Sequence, residues 1–471
     1  MRRVLLATGI TALVLCCANA ALAGQFSAPV RIPAAAGGEF AINSHGEVVA
    51  VEGSEDGARV YSLGTGSSFE HLLPLSVAGG YSLATGSEGI SFGSDGSIAL
   101  GLSYIDGTAP AVEGEGDSGH GSPACCRRAA VAAWQLGEPP PAVHTLTPKL
   151  DPDDAYEKEP DQPAVLVRRS VVTALWSDGG DLEFPEEGTT TLREAFGPVG
   201  KPLHVKTLAV VPNGINRYVL TKTASNLPLA AWLDDNGELH VVTGTATGAL
   251  KRSHRAQSVH GGVNPNHEFA FTTDGVGDII FWYVLGGSGH SELFMRTSTN
   301  GGAFSPPQLI ARIRGEIWKS SVLAGPHRSV LARWEWEDRH ETMYLRAAFG
   351  HIGRPLVRSV PMRVTVFGGE ATGFVGRGEA FIIYRHELPG HALGEDTNFQ
   401  LRIISDRSGH SFDSPKPFMP QLNTCGIDTA AELVYQGEAE IATSPNGYAI
   451  LNLVCDEGEE DRVQYLVRYT P

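Results

Sequence analysis

The chain has 471 residues, 56 of them glycine and 29 proline, and a formal charge of −17. That charge argues against a general affinity for nucleic acid or anionic lipid. Strand-forming bursts lie between the glycines and prolines, and no long stretch holds the 3.6-residue period of an amphipathic helix, so the composition favours strands and turns.

The chain opens with Arg2 and Arg3, an apolar run from Val4 to Cys17, and the small-residue pattern Ala21-Leu22-Ala23 before Gly24. This order describes a secretory signal peptide over 1–23, and an apolar run this short is not a membrane span. The mature protein, 24–471, is therefore expected outside the cell with a charge of −19, since two arginines leave with the signal. Later apolar pieces such as Ile279–Leu285 are too short to cross a bilayer. A monomer with no membrane span and no nucleic-acid partner is expected.

From residue 40 onward one pattern recurs. A short apolar strand ends in turn at Glu52, Leu102, Trp176, Trp232, Trp282, Trp334, Tyr384 and Leu453, at intervals of 50, 74, 56, 50, 52, 50 and 69 residues. The interval of 74 holds an acidic Gly/Ser/Pro-rich insertion at about 106–128, which is expected to be flexible. The interval of 69 holds a loop from His386 to Asn398 and another around Cys425. Phe196-Gly197-Pro198, Phe304-Ser305-Pro306 and Phe412-Asp413-Ser414-Pro415 form a second series 108 residues apart, or two units of about 54. A third burst between the two series includes Val60–Leu63, Leu293–Met295, Met343–Leu345 and Leu401–Ile404. Four short strands per unit of this length predict an all-β fold, a single β-propeller of about eight four-stranded blades, or seven if one unit is over-split. The last unit lacks a strand that Phe26-Ser27-Ala28-Pro29 can supply, so the N- and C-terminal strands are expected to close one ring. A stacked β-sandwich is the competing architecture.

Four cysteines remain after the signal, Cys125, Cys126, Cys425 and Cys455. A Cys425–Cys455 disulfide is expected because both flank one repeat unit in an oxidising compartment, leaving Cys125 and Cys126 to bridge each other or stay reduced. Zinc is the rival use of these thiols, but no Cys-x-x-Cys or paired-His spacing supports it, and no metal or cofactor is expected.

Ser405-Asp406-Arg407-Ser408-Gly409-His410-Ser411-Phe412 and Ser298-Thr299-Asn300-Gly301-Gly302-Ala303-Phe304 resemble the Asp-box of the sialidase superfamily. That motif places Ser-x-Asp-x-Gly-x-x-aromatic in the turn between the last two strands of a blade. Here Arg407 and Asn300 stand at the aspartate position, and Phe304 comes one residue early. Val30-Arg31-Ile32-Pro33 is similar to the superfamily's aromatic-Arg-Ile-Pro motif, which implies that Arg31 binds a carboxylate. The residues alone give Arg31 a structural place in the closing strand, and no motif locates the superfamily's tyrosine nucleophile, its glutamate partner or two further arginines.

Trp176, Trp232, Trp282 and Trp334 fall at one repeat position, where they either stack on sugars at an exposed rim or pack blade against blade. Trp336 lies among Glu335, Glu337 and Asp338, which add carboxylates nearby. His386-Glu-Leu-Pro-Gly-His391 is one residue too long for a metalloprotease helix and contains a proline. Asp234–Glu238 and the acidic stretch 151–161 could ligate calcium, and read more simply as a hairpin turn and a linker. The expected function is recognition of an extracellular glycan or protein without catalysis, with a sialidase-like glycoside hydrolase acting in the central pocket as the alternative.

Overall fold

The computed structural model describes residues 25–31, 39–54, 57–64, 70–75, 80–84, 89–106, 127–139, 143–148, 160–179, 189–212, 214–234, 237–251, 255–258, 269–274, 276–287, 289–337, 342–364, 370–375, 378–387, 399–406, 411–419, 425–426, 441–443, 446–456 and 462–471. Residues 1–23, expected to be a signal, Cys125, Cys126 and most of the insertion at about 106–128 lie outside them.

Eight antiparallel sheets follow one another along the chain, each a blade whose strands pair in sequence order from the innermost outward. The second strands are Val48–Ser54, Ser97–Asp106, Val171–Asp178, Pro228–Asp234, Ile279–Gly287, Ser329–Glu337, Glu379–Glu387 and Ala449–Asp456. These are the recurrent apolar strands of the sequence, and they are apolar on both faces for a simple reason. Each blade is sandwiched between two others, so a central strand has no solvent side. Buried apolar residues fall into eight clusters, and each cluster fills one seam between neighbouring blades.

The ring is closed as the sequence predicts. In blade 8, Arg462–Thr470 is the third strand, and the outermost position is filled from the other end of the chain by Gln25–Phe26 and Val30–Arg31. Phe26 sits edge-on to Phe381, Phe418 and Tyr469 at 5.8, 5.2 and 5.2 Å, in the seam between blades 7 and 8.

The second series of the sequence is not uniform. Phe304 and Phe412 lie between third and fourth strands, whereas Phe196-Gly197-Pro198 ends the third strand of blade 3, Thr189–Pro198. Spacing cannot distinguish the end of a strand from the turn that follows it.

Candidate functional site

In a propeller the innermost strands wall the central channel, and second strands leave the sheet at the end where innermost strands enter. In blade 6 the innermost strand is Ile317–Gly325, and its register against the second strand slips by one residue: Ile317 lies opposite Trp336, but Lys319 lies opposite Glu335. Trp318 is the extra residue. A bulge of this kind re-aims the side chain it frees, and Trp318 is 63% exposed on a strand whose neighbours are largely covered.

Alternation beyond the bulge sorts the polar groups. Val322 and Ala324 pack into the seam with blade 5 and Leu323 into the seam with blade 7, so Lys319 and Ser321 share the blade 7 side. On the second strand Leu331 faces the same way, which brings Arg333 and Glu335 alongside. Arg333 Nε donates to Ser321 Oγ at 2.7 Å, and its Nη1 lies 3.6 Å from Glu335 Oε1. Burial pushes the Glu335 carboxyl above its ordinary pKa although Arg333 and Lys319 pull it down. The desolvation cost therefore exceeds the attraction of an ion pair too long for a good hydrogen bond. On the blade 5 side Trp336 stacks on Tyr344 at 5.4 Å. The mouth of blade 6 thus presents the exposed Trp318 ring, next along the strand to Lys319, while Arg333 and Glu335 on the blade 7 side are buried. The sequence singled out Glu335 and Trp336 but not Trp318, whose exposure depends on a one-residue slip that no local pattern announces.

The four tryptophans at the repeat position are only 0–2% exposed. Trp176 packs into the seam of blades 2 and 3, Trp232 into that of blades 3 and 4, and Trp282 and Trp334 share the seam of blades 5 and 6. Buried rings offer no face to a sugar, so the rim-stacking role gives way to packing between blades. Trp282 is also out of step. The last pairs before the hairpin turns are Lys222 with Pro228 in blade 4 and Thr273 with Ile279 in blade 5, so the residue matching Trp232 is Tyr283. Tyr283 faces blade 4, and Trp282 faces blade 6.

Arg31 lies on the outermost strand of blade 8, opposite Tyr465. Three strand spacings of about 4.8 Å separate such a position from the innermost strand, so Arg31 does not reach a central pocket. It lines instead a cavity of about 750 Å³ with Ser27, Leu63, Leu466, Arg468 and Thr470.

In the turn resembling an Asp-box, Ser298 Oγ donates to Gly302 O at 2.7 Å, and Asn300 and Gly301 adopt left-handed φ of 47° and 66°. Asp278 of the neighbouring turn accepts the Asn300 N–H at 3.0 Å, so the fixing carboxylate comes from outside the motif. The later copy falls largely outside the described residues.

Asp234, Glu238 and His240 place ligand atoms within 4.8 Å of one another. The repeat accounts for this grouping. His240 lies opposite Trp232 and contacts Asp234 at 3.0 Å, and Arg193 lies opposite Trp176 and contacts Asp178 in the same way. A carboxylate two residues beyond the aromatic, in contact with a nitrogen-bearing side chain on the third strand, is a packing device common to both blades. His386 Nδ1 lies 3.3 Å from Arg363 O, while His391 and residues 151–159 are outside the described residues. Cys425 lies directly opposite Cys455 in the strand register of blade 8.

No family model and no curated protein matches the chain. Solved structures to which it is similar include the Hadza microbial sialidase Hz136, at 12% identity and a TM-score of 0.35 over 64% of this chain. The match spans 63% of that sialidase's own length. Another is the WD40 domain of SCAP from fission yeast, at 9% identity and a TM-score of 0.45 over 95% of this chain and 94% of that one. A third is the Aleuria aurantia lectin, described as a six-bladed β-propeller with a novel fucose recognition mode, at 11% identity and a TM-score of 0.31 over 64% of this chain and 89% of that one. These likenesses assign no activity, because fold does not fix function.

Proposed function

We propose that this protein is a glycan-binding propeller, working outside the cell and without chemistry of its own, that seats a sugar ring on Trp318 at the channel mouth of blade 6. The observation that carries the reading is the exposure of Trp318, 63%, on an innermost strand at the channel mouth, next to Lys319. The apolar face of a pyranose stacks on an indole, and neighbouring donors and acceptors fix its hydroxyls. An exposed indole at a bulge adds nothing to the core, so its removal should separate binding from folding. Affinity measured on an oligosaccharide panel is expected to fall about tenfold in Trp318→Ala, roughly the worth of one aromatic stack, with the melting temperature unchanged. Undiminished binding by that variant would overturn the site.

One observation favours a second reading. Glu335 is a buried carboxyl with a raised pKa, the condition of a general acid in a glycoside hydrolase. Turnover of fluorogenic glycosides by the wild type, abolished in Glu335→Gln, would make the protein an enzyme, and absence of turnover leaves it a binder.

A further inference from the structure

At the other end of the channel wall the seam between blades 3 and 4 brings Arg168 and Lys222 together, with no carboxylate ion-paired to either among the described residues. The innermost strand of blade 3, Ala164–Arg168, turns Val165 and Val167 towards blade 2, so Arg168 faces blade 4. The innermost strand of blade 4, Ile215–Lys222, turns Tyr218 and Leu220 towards blade 3, so Lys222 faces blade 3. Each is the last paired residue before its hairpin turn, Arg168 opposite Val171 and Lys222 opposite Pro228. The two side chains therefore enter one seam, at one end, from opposite walls.

Arg168 is only 6% exposed, and its guanidinium donates to the carbonyl oxygens of Asn226 and, at 3.5 Å, of Thr245. Its Nε is buried and without an acceptor. Lys222 makes no hydrogen bond and no ion pair among the described residues, and burial together with Arg168 presses its ammonium below its ordinary pKa. Arg168 is likewise lowered, by burial and by the exposed Arg169 that follows it in the turn. The carboxylate of the adjoining turn, Asp95, accepts from Ser170 Oγ at 3.1 Å and Ser97 N at 3.2 Å, and among the described residues it forms no ion pair with Arg168 or Lys222. Partly buried like charges without a counter-ion are costly, and a bound anion offsets that cost.

We propose that this seam is an oxyanion site, in which a sulfate, phosphate or carboxylate group rests on Lys222 Nζ between the guanidinium groups of Arg168 and Arg169. Arg168, held by two carbonyls, is a fixed wall of positive field, while Lys222 and Arg169 supply the accessible N–H donors. The overall charge of −17 works against anions at long range, so binding here is a property of the cluster and is screened little by salt. The site lies at the opposite end of the channel from Trp318 and does not depend on the glycan reading.

Inorganic sulfate is the probe. Melting curves are recorded in sodium chloride and in sodium sulfate at matched ionic strength for the wild type, Lys222→Met and Arg169→Ala. Sulfate stabilises all proteins in a non-saturating way, so the informative quantity is the saturable part. A saturable rise is expected in the wild type and is absent from Lys222→Met, which melts no lower than the wild type in chloride because it has lost a repulsive charge. By calorimetric titration, sulfate affinity falls at least tenfold in Lys222→Met and severalfold in Arg169→Ala. Equal sulfate responses in all three proteins would overturn the proposal, and should the methionine variant fail to fold, an equal response in Arg169→Ala and the wild type overturns it alone. A sulfated tetrasaccharide that binds more than tenfold tighter than inorganic sulfate identifies the anion as part of a glycan, and equal affinity identifies a free ion.

Discussion

Glu335 shows how a single residue in this fold carries opposing electrostatic effects. It lies beside Arg333, yet its carboxyl is raised above the ordinary value because burial outweighs the two cations. The sign of the pH dependence follows. A carboxyl that binds its proton more tightly when folded contributes stability below its unfolded pKa and loses that contribution as pH rises through the folded value. Glu335→Gln, which fixes the neutral form, is therefore expected to melt at a higher temperature than the wild type at pH 7 to 8. The gap should close on acidification towards pH 4, where both proteins carry a neutral group. A variant less stable at neutral pH would mean that the attraction of Arg333 and Lys319 exceeds desolvation. The same experiment bears on function, since a carboxyl kept for catalysis is commonly one whose removal stabilises the fold.

At the scale of the strand and its hairpin, what was legible in the sequence follows from alternation. All eight second strands were found because a strand covered on both faces must be apolar throughout, which makes it the densest signal in the chain. What failed is phase. Trp282 and Tyr283 are both large, both buried and adjacent, so spacing alone gave the repeat position to the tryptophan, and only the pairing of Thr273 with Ile279 gives it to the tyrosine. Trp318 escaped for the same reason, because a bulge shifts phase without changing composition. The register of blade 8 sets Cys425 opposite Cys455, an arrangement compatible with the disulfide expected from their flanking of one unit. Directly opposed strand residues are near enough in Cα distance for a disulfide. A non-reducing peptide map of oxidised protein is expected to contain the 425–455 cross-link. Cys425→Ser should lower stability by about 3.7 kcal/mol, the loop-closure value for an intervening segment of about 30 residues. A map without that peptide would show the thiols unbridged.

For the whole molecule the decisive contact is the one between the chain ends. Seven of the eight seams join blades consecutive in sequence, whereas the seam of blades 8 and 1 and the outer edge of blade 8 depend on segments more than 400 residues apart. Closing so long a loop costs entropy only logarithmically in its length, so a few good contacts suffice. Phe26 supplies them through three edge-to-face rings, reinforced by the Ser27 N–H donating to Arg468 O at 2.7 Å. Because Phe26 is partly rather than fully buried, Phe26→Ala is expected to cost about 2–3 kcal/mol, below the usual range for a phenylalanine in a closed core. The loss should also be local before it is global. Release of Gln25–Arg31 exposes the edge of Arg462–Thr470, so amide exchange should accelerate across 462–470 while that of the second strands of blades 3 to 6 changes little. Uniform acceleration around the ring would show instead that the propeller opens as one cooperative unit, with the terminal strand setting the stability of every blade.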